Sequence, residues 1–345
     1  MKKLIIVLCM IAVLSFQVSA ADFVAPEAPG DVQELLPYEE GTFAEGIWHI
    51  VRTGFAVLNP KLTKCLQICS RILAVSLLLS LVKTLPQAES ITLVGRITVM
   101  CILLEPTDAL IRQASDTIVQ MAEYGQLLLP VMTGVLAAQG GGGTASALYA
   151  GTAFFTAILG RLISNALIPL VYIYLSLTLA ASVTKDEALQ KFSKWIIQIS
   201  SKGLRIALYV FTGYLTISGV VSGAADQMAI KAAKLTISTM IPVVGNIISD
   251  ASESILVSAG IAKGAIGIYG LWTIIAIGIT PMISIGAQYL TLKLTGAASS
   301  LLSCKAIGDC VDDFSSAMGL LLAMTGSMCL LIMISTICFM KGVSL

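Results

Sequence analysis

Four ionisable residues, Lys231, Lys234, Asp250 and Glu253, stand between segments of the chain that otherwise read as membrane. A charge at bilayer depth is tolerated mainly where it faces a protein interior, a partner or a wet cavity, so these residues are the first place to look for function. Lys231 and Lys234 are three apart and share a helical face, as do Asp250 and Glu253. Between the pairs, Pro242 and Gly245 interrupt the apolar run as they would in a re-entrant or broken helix. If the chain reverses there, Lys234 comes opposite Glu253, and each neutralises a charge that is costly to bury alone. Lys231, Lys234, Asp250, Glu253, Pro242 and Gly245 are therefore the candidate pore or partner contact. The alternative leaves both segments flat on the membrane surface with their charges in water.

Other chemistry finds less support. No HExxH, GxSxG or paired-aspartate signature accompanies the acids, so no catalytic residue is assigned and no enzyme is expected. The run Gln139-Gly140-Gly141-Gly142-Gly143-Thr144 invites a phosphate-loop reading, but Ala145 and Ser146 follow it where a lysine is needed. It reads as a flexible turn between two membrane helices. The single histidine, His49, lies beside Trp48 in an amphipathic stretch from Gly41 to Leu58 and reads as an interfacial residue. With one histidine and no CxxC pair, a zinc site lacks ligands, and no cofactor is expected. Of the 8 cysteines, only Cys304 and Cys310 flank a polar loop, where a bridge or two free thiols are both open readings.

Two stretches carry a resemblance to a known family. SGVVSGAADQMAIKAAKLTISTMIPVVGNIISDASESILVSAG, from Ser218 to Gly260, and DDFSSAMGLLLAMTGSMCLLIMISTICFMKG, from Asp312 to Gly342, resemble the stage III sporulation protein AE family. The likeness is densest from about Leu204 onward. It implies a polytopic membrane protein of endospore-forming bacteria, placed in the mother-cell membrane around the forespore, within the assembly that links the two cells during engulfment. The partners it implies are the other stage III sporulation A-operon membrane and ring proteins and, indirectly, a cytoplasmic ATPase. Two other readings stand beside it: an autonomous secondary transporter using the charged hairpin as its solute or proton site, and a membrane scaffold.

The elements that would hold those residues follow from composition. The chain has 345 residues, of which 57% are hydrophobic and 12% charged, about half the charge of a soluble domain. This is an all-α polytopic membrane protein in composition, with the bilayer as its solvent. A net charge of +1 and the lack of a basic patch exclude nucleic acid as a partner. Lys2 and Lys3, the apolar stretch Leu4 to Leu14 and the small residues Val18-Ser19-Ala20 read as a signal peptide over residues 1–20, the alternative being an uncleaved first helix. From Ala21 to Glu45 there are seven acidic residues and no Lys or Arg, so residues 21–60 read as an exported acidic tether followed by an interfacial helix.

Residues 61–345 form the expected membrane domain. Seven runs nearly free of charge stand out: Ile72–Val82, Ile97–Leu104, Gly125–Gly160, Leu162–Thr184, Ile206–Ala225, Gly264–Leu292 and Phe314–Met340. At about 20 apolar residues per span they imply roughly six to eight transmembrane helices, with re-entrant or amphipathic segments between them. The first two are short and need Arg71 and Arg96 to be buried or to snorkel. Glu105 to Tyr124 reads as an interfacial helix with Leu110, Ile111, Ile118 and Met121 on one face. Lys185, Lys191, Lys194, Lys202 and Arg205 mark a cytoplasmic loop, Lys341 a cytoplasmic end, and Asp309, Asp312 and Asp313 an external loop. Parallel sequence features, such as Leu129-Pro130-Val131 against Ile241-Pro242-Val243, suggest duplicated halves at about 105–222 and 223–345, with chance similarity among apolar segments as the alternative. A duplication would predict helix breaks both near Pro242 to Gly245 and near Pro130 and Gly140 to Gly143.

Overall fold

Inside a bilayer the backbone has no water to bond, and helices satisfy their own N–H and C=O groups. The computed structural model follows that constraint. It describes residues 24–30, 32–37, 43–56, 58–82, 88–184, 186–240, 245–302 and 305–341, and the side chains of 58–60, 88–89, 218–260 and 262 fall outside the description. The signal-peptide reading of residues 1–20 also falls outside it.

After a short 3-10 turn at Gln33–Leu35 come α1 (Phe43–Ala56), α2 (Leu58–Val82), α3 (Ala88–Ala138) and α4 (Gly142–Leu162). A π-helical segment, Ile163–Leu167, joins α4 to α5 (Ile168–Thr184), and α6 (Glu187–Met240), α7 (Gly245–Leu301) and α8 (Lys305–Lys341) follow. No strand occurs among the described residues. By length and composition, 5 helical stretches among them can cross a membrane: Lys61–Val82, Ser90–Ala138, Gly142–Thr184, Lys263–Leu301 and Lys305–Lys341. They are fewer than the seven apolar runs because runs merge and because Ile206–Ala225 in α6 extends into residues whose side chains fall outside the description. Ile97–Leu104 shares α3 with the start of Gly125–Gly160, and Leu162–Thr184 continues from α4 through the π segment.

The helix pair at the centre is α7 with α8, each 61% buried over its most apolar window, against 28% for α2 and α3. Small residues let the two backbones meet. A Cβ on Gly308 would lie 2.8 Å from the Gly296 carbonyl oxygen, and one on Gly296 would lie 3.2 Å from that of Gly308. Close approach of this kind is how helices associate where lipid is as apolar as leucine. The pair is also cross-linked by polar groups: Lys293 Nζ bonds Asp312 Oδ1, and Ser315 Oγ donates to the Tyr289 carbonyl at 3.3 Å. Helix α3 packs on both, with Leu128 against Gly270 and Met121 against Gly278.

Helices α1 and α2 run parallel to α7. Gly46 lies against Trp272 and Gly54 against Ile279, while Lys61 Nζ donates to Ser284 Oγ at 2.8 Å and Ser76 Oγ to Ser299 Oγ at 3.0 Å. Both paths advance together by one helical rise, so the first helices read along α7 as a ruler. On the other side Thr152 of α4 hydrogen-bonds Ser335 of α8, and Tyr214 of α6 donates to the Ala147 carbonyl at 3.0 Å.

Three expectations are corrected here. Pro130 does not break its helix. It lies inside α3, which ends at Ala138 and is capped by Gly140, where φ is 84° and the amides of Gly140 and Gly141 return to the carbonyls of Ala137 (2.9 Å) and Leu136 (3.1 Å). Only glycine takes that left-handed cap cheaply, whereas proline mid-helix costs one hydrogen bond that packing can offset. Second, Glu105–Tyr124 is no separate interfacial helix but the middle of α3, because α7 and α8 cover its apolar face: Ile111, Ile118 and Met121 are buried.

Third, the basic turn before α6 and the acidic start of α8 lie at the same end of the bundle. The Tyr174 hydroxyl, in the first half of α5, donates to the Asp313 carbonyl at 3.1 Å, Arg96 Nη1 donates to the Ser182 carbonyl at 2.8 Å with its charge felt at Cys310, and the charge of Lys194 is felt at Asp313. Charge sorting placed the two segments on opposite sides, but Asp312 is paired with Lys293 and is not a free external acid. Cys310 is a free, buried thiol, and Cys304 lies outside the described residues.

Single cysteines introduced at the exposed positions Asp186 and Asp309 are expected to react with an impermeant maleimide from the same side of the membrane. Labelling of the two from opposite sides contradicts this arrangement. Gly308→Ala is expected to lower stability by about 1–3 kcal/mol through overpacking, whereas Gly203→Ala, with open space around it, is neutral or slightly stabilising. Thermal unfolding of the purified variants checks the contrast.

Candidate functional site

The charged residues singled out by sequence are placed by backbone alone. Lys231 and Lys234 belong to α6, Gly245, Asp250 and Glu253 to α7, and Pro242 to positions 241–244 between the two helices, which are outside the described residues. One helix ends at Met240 and the next begins at Gly245. Each is long, 54 and 57 residues, where two short helices were expected. The pairing of Lys234 with Glu253 rests on side chains outside the description.

The polar site that the described side chains do form lies elsewhere, between α2, α3 and α7. It is built from the residues upward by three helix faces. On α2, Lys61, Lys64, Ile68 and Arg71 recur at helical spacing and share one side. On α3, Ile102, Glu105, Pro106, Ala109 and Gln113 face them, and on α7 Ser284 and Gln288 close the back. The cleft between them holds about 530 Å³. Lys61 is anchored within it by its bond to Ser284, whose own hydroxyl donates to the Thr280 carbonyl at 2.7 Å. Gln288 is 3% exposed and Ser284 5%, so the back wall is polar and buried while Lys64, Arg71 and Glu105 stand at the open side.

A second cavity of about 540 Å³ adjoins the first, sharing Ala109 and Gln113 with it and continuing along α3 past Arg112, Asp116, Thr117 and Gln120. Its far wall includes Val32 and Leu35 of the acidic N-terminal segment, 4% and 9% exposed. That segment is thus packed on the bundle around Ala28, Val32 and Leu35 and is not wholly a solvated tether. Both cavities contain a helix-interior proline, Pro106 in the first and Pro281 in the second. Proline lacks the N–H that would bond the carbonyl four residues earlier, here those of Ile102 and Ile277, and both residues line the cavities. The widened, polar space and the interrupted ladders coincide.

Beside this cleft one ion pair is closed, Asp108 with Arg112. Asp108 accepts from Arg112 Nε at 2.9 Å and from the Tyr172 hydroxyl at 2.8 Å. Arg96, left by sequence as either buried or snorkelling, is half-buried with one nitrogen on the Ser182 carbonyl. Arg71 has the opposite fate and is exposed at the cleft mouth. His49 and Trp48 are exposed on α1. Sequence reasoning missed the cleft, whose residues come from three segments between Lys61 and Gln288. The one available signal was the Lys61-Lys64-Arg71 face on a helix that is otherwise apolar.

Comparison with known proteins identifies the family. Stage III sporulation protein AE of Bacillus subtilis (strain 168) is 24% identical over 207 residues, covering 60% of this chain and 52% of that protein, so the match spans about half the length of this curated relative. No solved structure matches. A family model described as stage III sporulation protein AE matches residues 31–342, from the N-terminal acidic segment through the last helix. On that near-complete match, the chain belongs to the stage III sporulation protein AE family.

Proposed function

We propose that this protein is a membrane component of the complex that links mother cell and forespore and carries transport or secretion between them, and that it is required there during sporulation. Membership of a sporulation family supports the setting. The observation that carries the transport reading is the pair of adjoining polar cavities between α2, α3 and α7, which hold Lys61, Lys64, Arg71, Glu105 and Asp116 within a bundle of apolar helices. Charges in such a setting face a wet path or a partner. On this reading the protein sits in the mother-cell membrane around the forespore and performs no enzymatic step. It contacts the other A-operon membrane and ring proteins directly and a cytoplasmic ATPase through them.

The extension of α6 and α7 through Lys231, Lys234, Asp250 and Glu253 is the second part of the proposal, with Lys234 and Glu253 neutralising each other at a pore or partner contact near Pro242 and Gly245. A like charge at Lys234 then leaves two acids unmatched, and reversing both partners restores the match. Lys234→Glu is expected to cut spore formation by roughly tenfold or more while the protein stays abundant, and adding Glu253→Lys to recover part of it. Heat-resistant spore counts, with immunoblots of the membrane fraction, read both. Unchanged sporulation in Lys234→Glu means that the two side chains sit in water and removes the charged-hairpin proposal.

A further inference from the structure

We infer that the cleft between α2, α3 and α7 is a binding site for a phosphate-bearing anion. The inference goes beyond the transport reading and does not require it, since a scaffold could hold such a ligand equally well. Three cations line the first cavity, Lys61, Lys64 and Arg71, against one carboxylate, Glu105, a balance of three minus one that leaves two positive charges in about 530 Å³. A volume of that size is in the range of small-ligand sites.

The cations are arranged for a ligand and not for each other. All three project from one face of α2, and Lys61 and Lys64 are one turn apart, where like charges repel unless an anion lies between them. Lys61 is held in place by Ser284 at 2.8 Å. Among the described residues neither Lys64 nor Arg71 has a carboxylate within ion-pair distance, although Asp108, Asp312 and Glu187 elsewhere all have a basic partner. The guanidinium fork of Arg71 suits two phosphate oxygens at once, and lysines act as point charges on the remainder. Gln67, Gln113 and Gln288 supply neutral donors around them.

The lining also has apolar residues, Ile68 among the cations on α2 and Ile102 and Leu110 across from them on α3, so the ligand that fits carries an apolar part beside its anionic group. An anionic phospholipid headgroup and a free phosphate compound share the chemistry that the cations read.

The test uses the full-length protein in nanodiscs of phosphatidylcholine. One arm titrates inorganic pyrophosphate into these discs; the other replaces part of the lipid with phosphatidylglycerol. Thermal unfolding and native mass spectrometry read binding, for the wild type, for Lys64→Gln with Arg71→Gln, and for Lys202→Gln, which removes a charge from the exposed face of α6. The wild type is expected to be stabilised in at least one arm, and the arm that responds identifies the source. The cleft variant is expected to bind roughly tenfold or more weakly, to unfold at the wild-type temperature when no anion is present, and to differ from Lys202→Gln, which binds as the wild type does. Stabilisation in neither arm, or an equal response in the wild type and the cleft variant, overturns the inference. Because binding is read on purified protein, this outcome is independent of any sporulation defect.

Discussion

The close approach of α7 and α8 at Gly296 and Gly308 is the contact on which the remaining helices depend. Lipid offers helices no hydrophobic reason to associate, so close packing of small residues and a few polar cross-links must hold them. Here both operate within a few turns: glycine against glycine backbone, Lys293 with Asp312, and Ser315 with the Tyr289 carbonyl. The resulting pair presents two faces. Helices α1 and α2 lie along α7, α3 fills the groove between α7 and α8, and α4 to α6 cover α8. Side chains such as Leu78, Phe154, Tyr209 and Leu294 remain exposed on the outside, as an apolar solvent permits.

The cleft follows from the same arrangement. Pro106 and Pro281 interrupt the hydrogen-bond ladders of α3 and α7, one beside each cavity, and polar groups line that space where the core elsewhere has isoleucine, leucine and methionine. Polar residues in this position are costly unless bonded or wetted, which is why Lys61 is tied to Ser284. The site is therefore a feature of the fold and not an accident of one surface loop.

The all-helical membrane class and the family were legible in the sequence, because apolar runs and short family-specific stretches are local signals. The glycine-rich turn was legible for the same reason, since Gly140 takes a backbone angle that its neighbours avoid. Long-range facts were not. The sequence places Asp312 among external acids, and only the fold shows that Lys293, 19 positions earlier, neutralises it at the end of the bundle that also holds the basic turn. Arg71 and Arg96 look alike as flanks of short apolar runs, yet one opens on a cleft and the other caps a carbonyl, a difference set by which helix lies opposite. The cleft needs residues from three separated segments, and no periodicity in any one of them announces it. The charged residues from Lys231 to Glu253 drew attention for a sound reason, but their side chains lie outside the described structure.

The central claim is that α2 runs parallel to α7 and so sets its basic face over the Ser284–Gln288 wall. Oxidative cross-linking in membranes tests it most directly, in a chain whose native cysteines are replaced by alanine. Ser76→Cys with Ser299→Cys, whose hydroxyls lie 3.0 Å apart, is predicted to form an intramolecular disulfide rapidly. Ser76→Cys with Thr273→Cys, about 39 Å farther along α7 at the rise of an α-helix, is predicted to form none. Cross-linking of the second pair, or failure of the first, would contradict the account.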